Sequence, residues 1–398
     1  MSVASSRASL EALAEGAREA GKLALDTEFM GEGRYRTLLC LVQVAIPPGA
    51  GAGPIELVDP LADGVDGGPL ADVLADPAIE IVVHAGRQDV ALMRRWLGTE
   101  ITNVFDTQVA AGFVGLGAQG SYESLLGELL DVRLRKSASF TRWDRRPLSP
   151  EQLAYAREDV VHLLELAAEL ERRLEESGRL AWAREECEPL QHASDERDEE
   201  VIFSRLPRIH SQSASARAAA RELVAWRERT AAGRDRPVQS VLSDAALMEL
   251  ARRKPSRKEE LERIRGVGAA SGGRTAEEVL GAIRLASRRP PEATSRDRRP
   301  PAPRPDDAPL IALGEALLRA RAREAGLAYE LLAARADLQA IVAERREGEE
   351  ADVRTLRGWR RELVGEELLG LLDGRVALSV ANAADGPRLR VEPRTERR

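Results

Sequence analysis

Asp26 and Glu28 stand two residues apart in the run Lys22–Phe29, with Leu23, Ala24 and Leu25 before them and Phe29 and Met30 after. On a β-strand, residues i and i+2 leave the same face, so two carboxylates would share one side of a largely apolar strand. Like charges there repel and are costly to desolvate. A hard divalent cation such as Mg²⁺ or Mn²⁺ relieves both costs; the alternative is a strand end where both acids are solvated. A third acid, Asp89, closes the stretch His84-Ala85-Gly86-Arg87-Gln88-Asp89. It falls in the first turn of a predicted helix, where it also complements the helix dipole. Tyr155 and Asp159 are four apart in Tyr155-Ala156-Arg157-Glu158-Asp159 and so share one face of a helix.

The elements that must position these groups are legible as alternating patterns. Lys22–Phe29, Tyr35–Ile46 and Pro54–Val58 read as three strands with short connections, which pair antiparallel. Pro69–Ala75 reads as a helix, Ile79–His84 as a buried strand, Arg87–Leu97 as an amphipathic helix and Asn103–Phe105 as a last short strand. The expectation is a mixed five-stranded sheet with helices on its faces, an α/β class. Ser149–Glu176 reads as one long helix, with Ser149 at the N-cap, Pro150 at the first position and Gln152 closing a capping box.

Taken in order, a strand Asp26-Thr27-Glu28-Phe29, a post-strand His84-Ala85-Gly86 with Asp89, and a late helix Tyr155-Ala156 with Asp159-Val160 resemble the DEDD superfamily of 3′–5′ exonucleases. The likeness extends to Phe105-Asp106-Thr107-Gln108, to Leu134–Ser139 with Lys136-Ser137, and to Thr141–Leu148 running into Ser149–Leu153. It spans about residues 20–190 and is nearest to the ribonuclease D group. The histidine subclass carries its histidine five residues before the last aspartate, a position held here by Ala154, whereas Tyr155 matches the tyrosine subclass. The resemblance implies a ribonuclease-H-like fold and two divalent ions, Mg²⁺ or Mn²⁺. Asp26, Glu28 and Asp159 would hold one ion, Asp26 would bridge to the second, and Asp89 would hold that one through water. Tyr155 would orient the attacking water, and nucleoside 5′-monophosphates would leave the 3′ end of RNA, with precursor tRNA as the family expectation. Candidate substrate contacts are Lys136, Arg142, His84, Phe29 and Met30; a solvated loop charge or core packing are the competing roles.

The exonuclease domain is placed at 1–207, followed by two small all-helical domains at 208–287 and 310–380. A Pro- and Arg-rich linker occupies 288–309, and a disordered tail 381–398. The acidic run Ser194–Glu200 also reads as disorder-prone. Residues 211–287, with Trp226, Pro237-Val238 and Arg252-Arg253-Lys254-Pro255, resemble the helicase-and-ribonuclease-D C-terminal module. Its basic candidates for phosphate contact are Arg252, Arg253, Lys254, Arg257 and Lys258. Residues 310–378 look like a second, degenerate copy. Charge follows the same division: 21 basic against 36 acidic side chains over 1–205, a net of −15, and 17 against 10 over 211–289, a net of +7.

No apolar stretch approaches the roughly 20 residues of a membrane span, and the first residues lack a signal-peptide pattern. The two cysteines, Cys40 and Cys187, offer neither a disulfide framework nor a zinc site. A monomeric cytoplasmic enzyme is the expectation. A helicase is excluded, because no Gly-rich phosphate loop of the Walker type is present. A DNA exonuclease of the same fold, or a catalytically silent RNA-binding scaffold, are the alternatives.

Overall fold

The computed structural model describes residues 6–49, 55–117, 119–134, 142–267, 272–288, 304–383 and 386–394. Its sheet has five strands, β1 (Lys22–Met30), β2 (Leu38–Ala45), β3 (Ile55–Val58), β4 (Glu80–Val83) and β5 (Val104–Asp106), in the order β3-β2-β1-β4-β5. The first three pair antiparallel, while β4 and β5 join parallel to β1. The mixed sheet expected from the sequence is therefore present.

Period-two alternation on β1 sends Leu23 and Leu25 to one face and Ala24, Asp26 and Glu28 to the other. The Leu23 face is covered by α1 (Arg7–Ala20), α2 (Gly68–Leu74) and α3 (Arg87–Leu97). Helix α1 shows why: Ser6 caps its start, Leu10, Leu13, Ala14 and Ala17 form a buried stripe at helical spacing, and Gly21 ends it at φ 66°. The Ala24 face packs on α4 (Thr107–Phe113), α5 (Tyr122–Leu129), α6 (Pro150–Val161), α7 (Leu163–Glu176) and α8 (Leu180–Cys187).

The capping box at Ser149 and Gln152 forms as expected. The helix beyond it does not run unbroken to Glu176. It ends at Val161 and restarts at Leu163, and at this break the His162 N–H donates to the Tyr122 hydroxyl at 3.2 Å.

The run Ser194–Glu200, expected to be disorder-prone, is ordered instead. Asp195 pairs with Arg95, Arg197 with Glu228, and Asp198 caps α9 (Glu199–Ser204). Phe203, Leu206 and Ile209 belong to the core of the following helical unit, so its packing begins ahead of residue 208. That unit comprises α10 (Ala214–Arg234), α11 (Val238–Val241), α12 (Asp244–Arg253), α13 (Lys258–Leu261) and α14 (Gly273–Arg288).

The last helical unit holds α15 (Asp307–Ala325), α16 (Tyr329–Leu332), α17 (Arg335–Arg346), α18 (Gly358–Arg360) and α19 (Glu366–Leu372). Its core is continuous with that beneath the sheet. Trp359 stacks on Trp182 at 5.1 Å and meets the Phe113 ring edge-on at 5.2 Å.

The tail also differs from the expectation. Segment 381–398 was expected to be disordered, yet β6 (Val376–Ala383) and β7 (Gly386–Pro393) form an antiparallel hairpin. Alternation is the cause: Leu378 and Val391 pair in register and pack together against the α15–α19 core. The surrounding Arg, Glu and Pro residues hide that pattern in the composition. No helix among the described residues is long and apolar enough to cross a membrane.

Candidate active site

The parallel pairing of β1 with β4 ends at Ala24 and Val82. Beyond it β4 ends at Val83 while β1 runs on to Met30, leaving an opening beside β1 at the carboxyl end of the parallel pair, where α/β sheets bind ligands. Asp26 and Glu28 continue along β1 into this opening, before a bulge that falls between Glu28 and Phe29.

Asp89 arrives from the other side. Its helix begins at Gly86, and Asp106 at the end of β5 fixes that start by accepting the N–H of Ala85 at 3.1 Å and of Gly86 at 2.9 Å. The same carboxylate caps α4 through the N–H groups of Gln108 and Val109. The turn takes its left-handed residue at Ala85, φ 53°. Gly86 is required for a different reason: a Cβ there would lie 2.4 Å from the Cβ of Val83. On β1, Thr27 points to the α3 face and its hydroxyl donates to the buried Asp89 carboxylate.

Helix α6 lies against β1, β2 and β3 and supplies Tyr155 and Asp159 one turn apart. Arg146 anchors the segment leading into it, with a bidentate pair to Asp59 at 2.5 and 2.6 Å and a 2.6 Å bond to the Cys40 carbonyl. Tyr155 packs against Trp143, ring centres 6.0 Å apart.

Burial raises the proton affinity of all five groups, and Asp26, Glu28 and Tyr155 also feel the neighbouring carboxylates. Burial, then the charges of Asp89, Asp159 and Glu28, holds the Asp26 carboxyl well above the ordinary range. Burial, then Asp159 and Asp89, pushes Glu28 up to about 8. Burial raises Asp159 to about 7 and Asp89 to about 6, the latter against the opposing hydrogen bond from Thr27. Tyr155 rises to about 12 through burial and then the charges of Asp159, Glu28 and Asp26. A cluster of hard oxygen donors with so high an affinity for protons fits a divalent cation, whose charge removes the mutual repulsion. Among the described residues, no three such side chains already stand around one point closely enough to hold an ion.

Other candidates fall into different places. His84 borders the site, its Nδ1 2.9 Å from the Thr107 hydroxyl and its ring 5.7 Å from Tyr122; burial lowers its pKa. Phe29 is exposed at the strand end, and Met30 packs partly beside Tyr155 and Leu153. Arg142 lies on the surface in an ion pair with Asp144. Lys136 lies outside the described residues. Arg252 and Arg253 pair with Glu249, Arg257 with Glu260 and Lys258 with Glu262, while Lys254 bonds the Ser215 hydroxyl, all at the surface of the first helical unit.

Sequence reasoning missed Thr27, Asp106, Tyr122 and Arg146 as supports. Tyr122 accepts the His162 N–H at 3.2 Å, and its phenol is raised by burial and also feels Asp159 and Asp26. No short-range spacing marks these residues. The agreement with the family pattern covers Thr27, Asp106 and Arg146 without assigning them a role, and Tyr122 lies outside the stretches that carry it.

Comparison with known proteins agrees with this geometry. Residues 1–175 match the 3′–5′ exonuclease family and residues 216–283 match the HRDC domain. The chain is 37% identical to ribonuclease D of Gluconacetobacter diazotrophicus over 374 residues, covering 93% of this chain and 91% of that protein. The chain belongs to the ribonuclease D family. Ribonuclease D of Zymomonas mobilis is 36% identical, with 94% of each protein covered. The crystal structure of Escherichia coli RNase D, described as an exoribonuclease involved in structured RNA processing, aligns with a TM-score of 0.78 at 27% identity. That alignment covers 94% of this chain and 99% of the other. As a ribonuclease D, the chain is a 3′–5′ exoribonuclease.

Proposed function

We propose that Asp26, Glu28, Asp89 and Asp159 hold two divalent ions, Mg²⁺ or Mn²⁺, and that Tyr155 orients the water that attacks the 3′-terminal phosphodiester. The observation that carries this reading is the convergence of carboxylates from β1, α3 and α6 past the carboxyl end of the parallel strand pair, where the charges of Asp159 and Asp89 are felt by both Asp26 and Glu28. Bound ions would supply Lewis acidity at the phosphate and charge for the departing oxygen.

The residues of the chain do the positioning. Asp26 and Glu28 are held in register by β1, and Asp89 by Thr27 and the Asp106-tied turn. With its affinity for a proton raised to about 12, Tyr155 stays a phenol at neutral pH, so it directs a water through hydrogen bonding and does not remove its proton. Phe29, exposed just past Glu28, is placed to meet the terminal base, and His84, kept neutral by burial, to meet the sugar-phosphate.

The substrate we favour is an RNA with a structured body and a free 3′ end, such as a precursor tRNA. The described role of the E. coli relative supports it. The first helical unit would contribute phosphate contacts through Arg252, Arg253, Lys254, Arg257 and Lys258. The surface ion pairs of the four other than Lys254, which bonds the Ser215 hydroxyl, are weak and exchange readily for phosphate. The test is Asp26→Asn on 3′-labelled RNA with Mn²⁺, against the wild type with and without EDTA. Loss of shortening with an unchanged circular-dichroism spectrum is expected; near wild-type activity would remove the assignment.

A further inference from the structure

Gln43 on β2 has no exposed surface, and among the described residues neither its amide nitrogen nor its carbonyl oxygen has a hydrogen-bond partner. An unpaired buried amide is costly and rare in folded chains, so its surroundings matter. In the antiparallel register Gln43 lies directly opposite Asp26 on one side and Leu57 on the other. Residues opposite one another point to the same face, with Cβ atoms about 5 Å apart. Leu41 and Ala45 flank it along its own strand, and Leu41 and Leu57 cluster with Ala156 and Tyr155 of α6 on this face. Of the two residues directly opposite, Asp26 and Leu57, Asp26 is the one that can accept a hydrogen bond from the amide, and Glu28, opposite Leu41, stands only diagonally to it.

We propose that Gln43 is a positioning residue, whose side-chain N–H donates to the Asp26 carboxylate when a divalent cation is bound and fixes its orientation. The proposal rests on the reading of Asp26 as a cation ligand. It gives the buried amide a partner in the loaded state. It also explains why a polar side chain stands on β2 between Leu41 and Ala45, opposite Leu57. Partners that orient a ligating group govern affinity nearly as strongly as the ligand itself, with losses of about 10- to 100-fold on removal.

The experiment measures Mn²⁺ affinity of the full-length, metal-stripped protein by electron paramagnetic resonance and calorimetry. The variants are Gln43→Met, close in shape but unable to hydrogen-bond, and Asp26→Asn. The metal-free melting temperature is recorded for each. Gln43→Met should weaken Mn²⁺ binding about 10- to 100-fold while leaving the metal-free melting temperature unchanged or higher, because the variant removes an unpaired buried amide. Wild-type Mn²⁺ affinity in Gln43→Met, with tight binding lost in Asp26→Asn, would overturn the role of Gln43 and leave the site reading intact. Tight binding retained in Asp26→Asn would overturn both. Should Gln43→Met fail to fold, Gln43→Asn takes its place. Its amide falls one methylene short and should lose affinity too; a wild-type affinity there would equally overturn the proposal.

Discussion

The Thr27 hydroxyl donates to the Asp89 carboxylate, joining the middle of β1 to the first turn of α3 across 62 residues of sequence. Thr27 lies on the opposite face of β1 from Asp26 and Glu28, so one strand presents two acids and steers a third.

Replacing Thr27 with Val keeps the shape and removes the donor. The hydrogen bond lowers the Asp89 pKa, which burial has already raised to about 6. Its loss should raise that pKa further and move the acid limb of the pH–rate profile to higher pH. Activity near pH 6.5 should fall about tenfold, the scale expected when a hydrogen bond that orients a metal ligand is removed, with recovery at pH 8.5 and rescue by Thr27→Ser. A uniform loss at every pH would show that the hydroxyl serves packing alone.

Tyr155→Phe should lower kcat about 100-fold, the scale of a positioned proton-handling group, with KM and Mn²⁺ affinity nearly unchanged. Steady-state kinetics with calorimetry of Mn²⁺ binding separates the two quantities. A large fall in metal affinity would mean that the phenol supports the ligands instead of the water.

Metal-free stability should depend on pH in an unusual direction. Burial raises Glu28 to about 8, Asp159 to about 7 and Asp89 to about 6, all above their unfolded values. The folded state therefore binds more protons than the unfolded state between about pH 4 and 8, and its stability falls as pH rises through that window. In EDTA the melting temperature should be several degrees higher at pH 5.5 than at pH 8.5. Adding Mn²⁺ should raise it most at pH 8.5, where the ligands have lost their protons. A metal-free melting temperature that rises steadily over the same interval would contradict the raised affinities.

Glu228 links the loop after β1 to the first helical unit. Its side chain is 4% exposed, pairs with Arg197 at 2.6 Å and accepts the Tyr35 hydroxyl at 3.1 Å, while Arg34 reaches Asp235 at 2.8 Å. Glu228→Gln should destabilise the protein by about 1–3 kcal/mol, as expected when a buried partner loses its charge. Urea unfolding followed at tryptophan emission checks this; Trp226 reports on the unit itself. Unchanged midpoints would show that these bonds are exchanged freely with water.

Neutralising Arg252, Arg253, Arg257 and Lys258 together should weaken RNA binding similarly for every sequence. The slope of log K against log salt should drop by about 0.7 for each single-strand phosphate that these side chains no longer neutralise. Filter binding between low and moderate salt measures it, and an unchanged slope would remove this face from RNA binding. Charge neutralisation is the suitable test, because truncating the helical units would strip Trp359 from Phe113 and Trp182 and expose core.

The candidate site was legible in the sequence because local periods pair its side chains, while the order of those pairs and their likeness to the exonuclease family supplied the chemistry. Asp26 and Glu28 share a face through the period of two, Tyr155 and Asp159 through the period of 3.6, and Ser149 with Gln152 marks a helix start by its own hydrogen bonds. The mixed sheet followed from the same alternation. Tertiary structure alone decided the rest. Whether Thr27 reaches Asp89, whether Gln43 faces Asp26, and whether Tyr122 meets the His162 N–H at the break in the long helix depend on strand register and helix placement between distant segments. The docking of the last helical unit through Trp359 and the pairing of Leu378 with Val391 are of the same kind. A local pattern states which side chains share a face; only the packed sheet and helices state which faces meet.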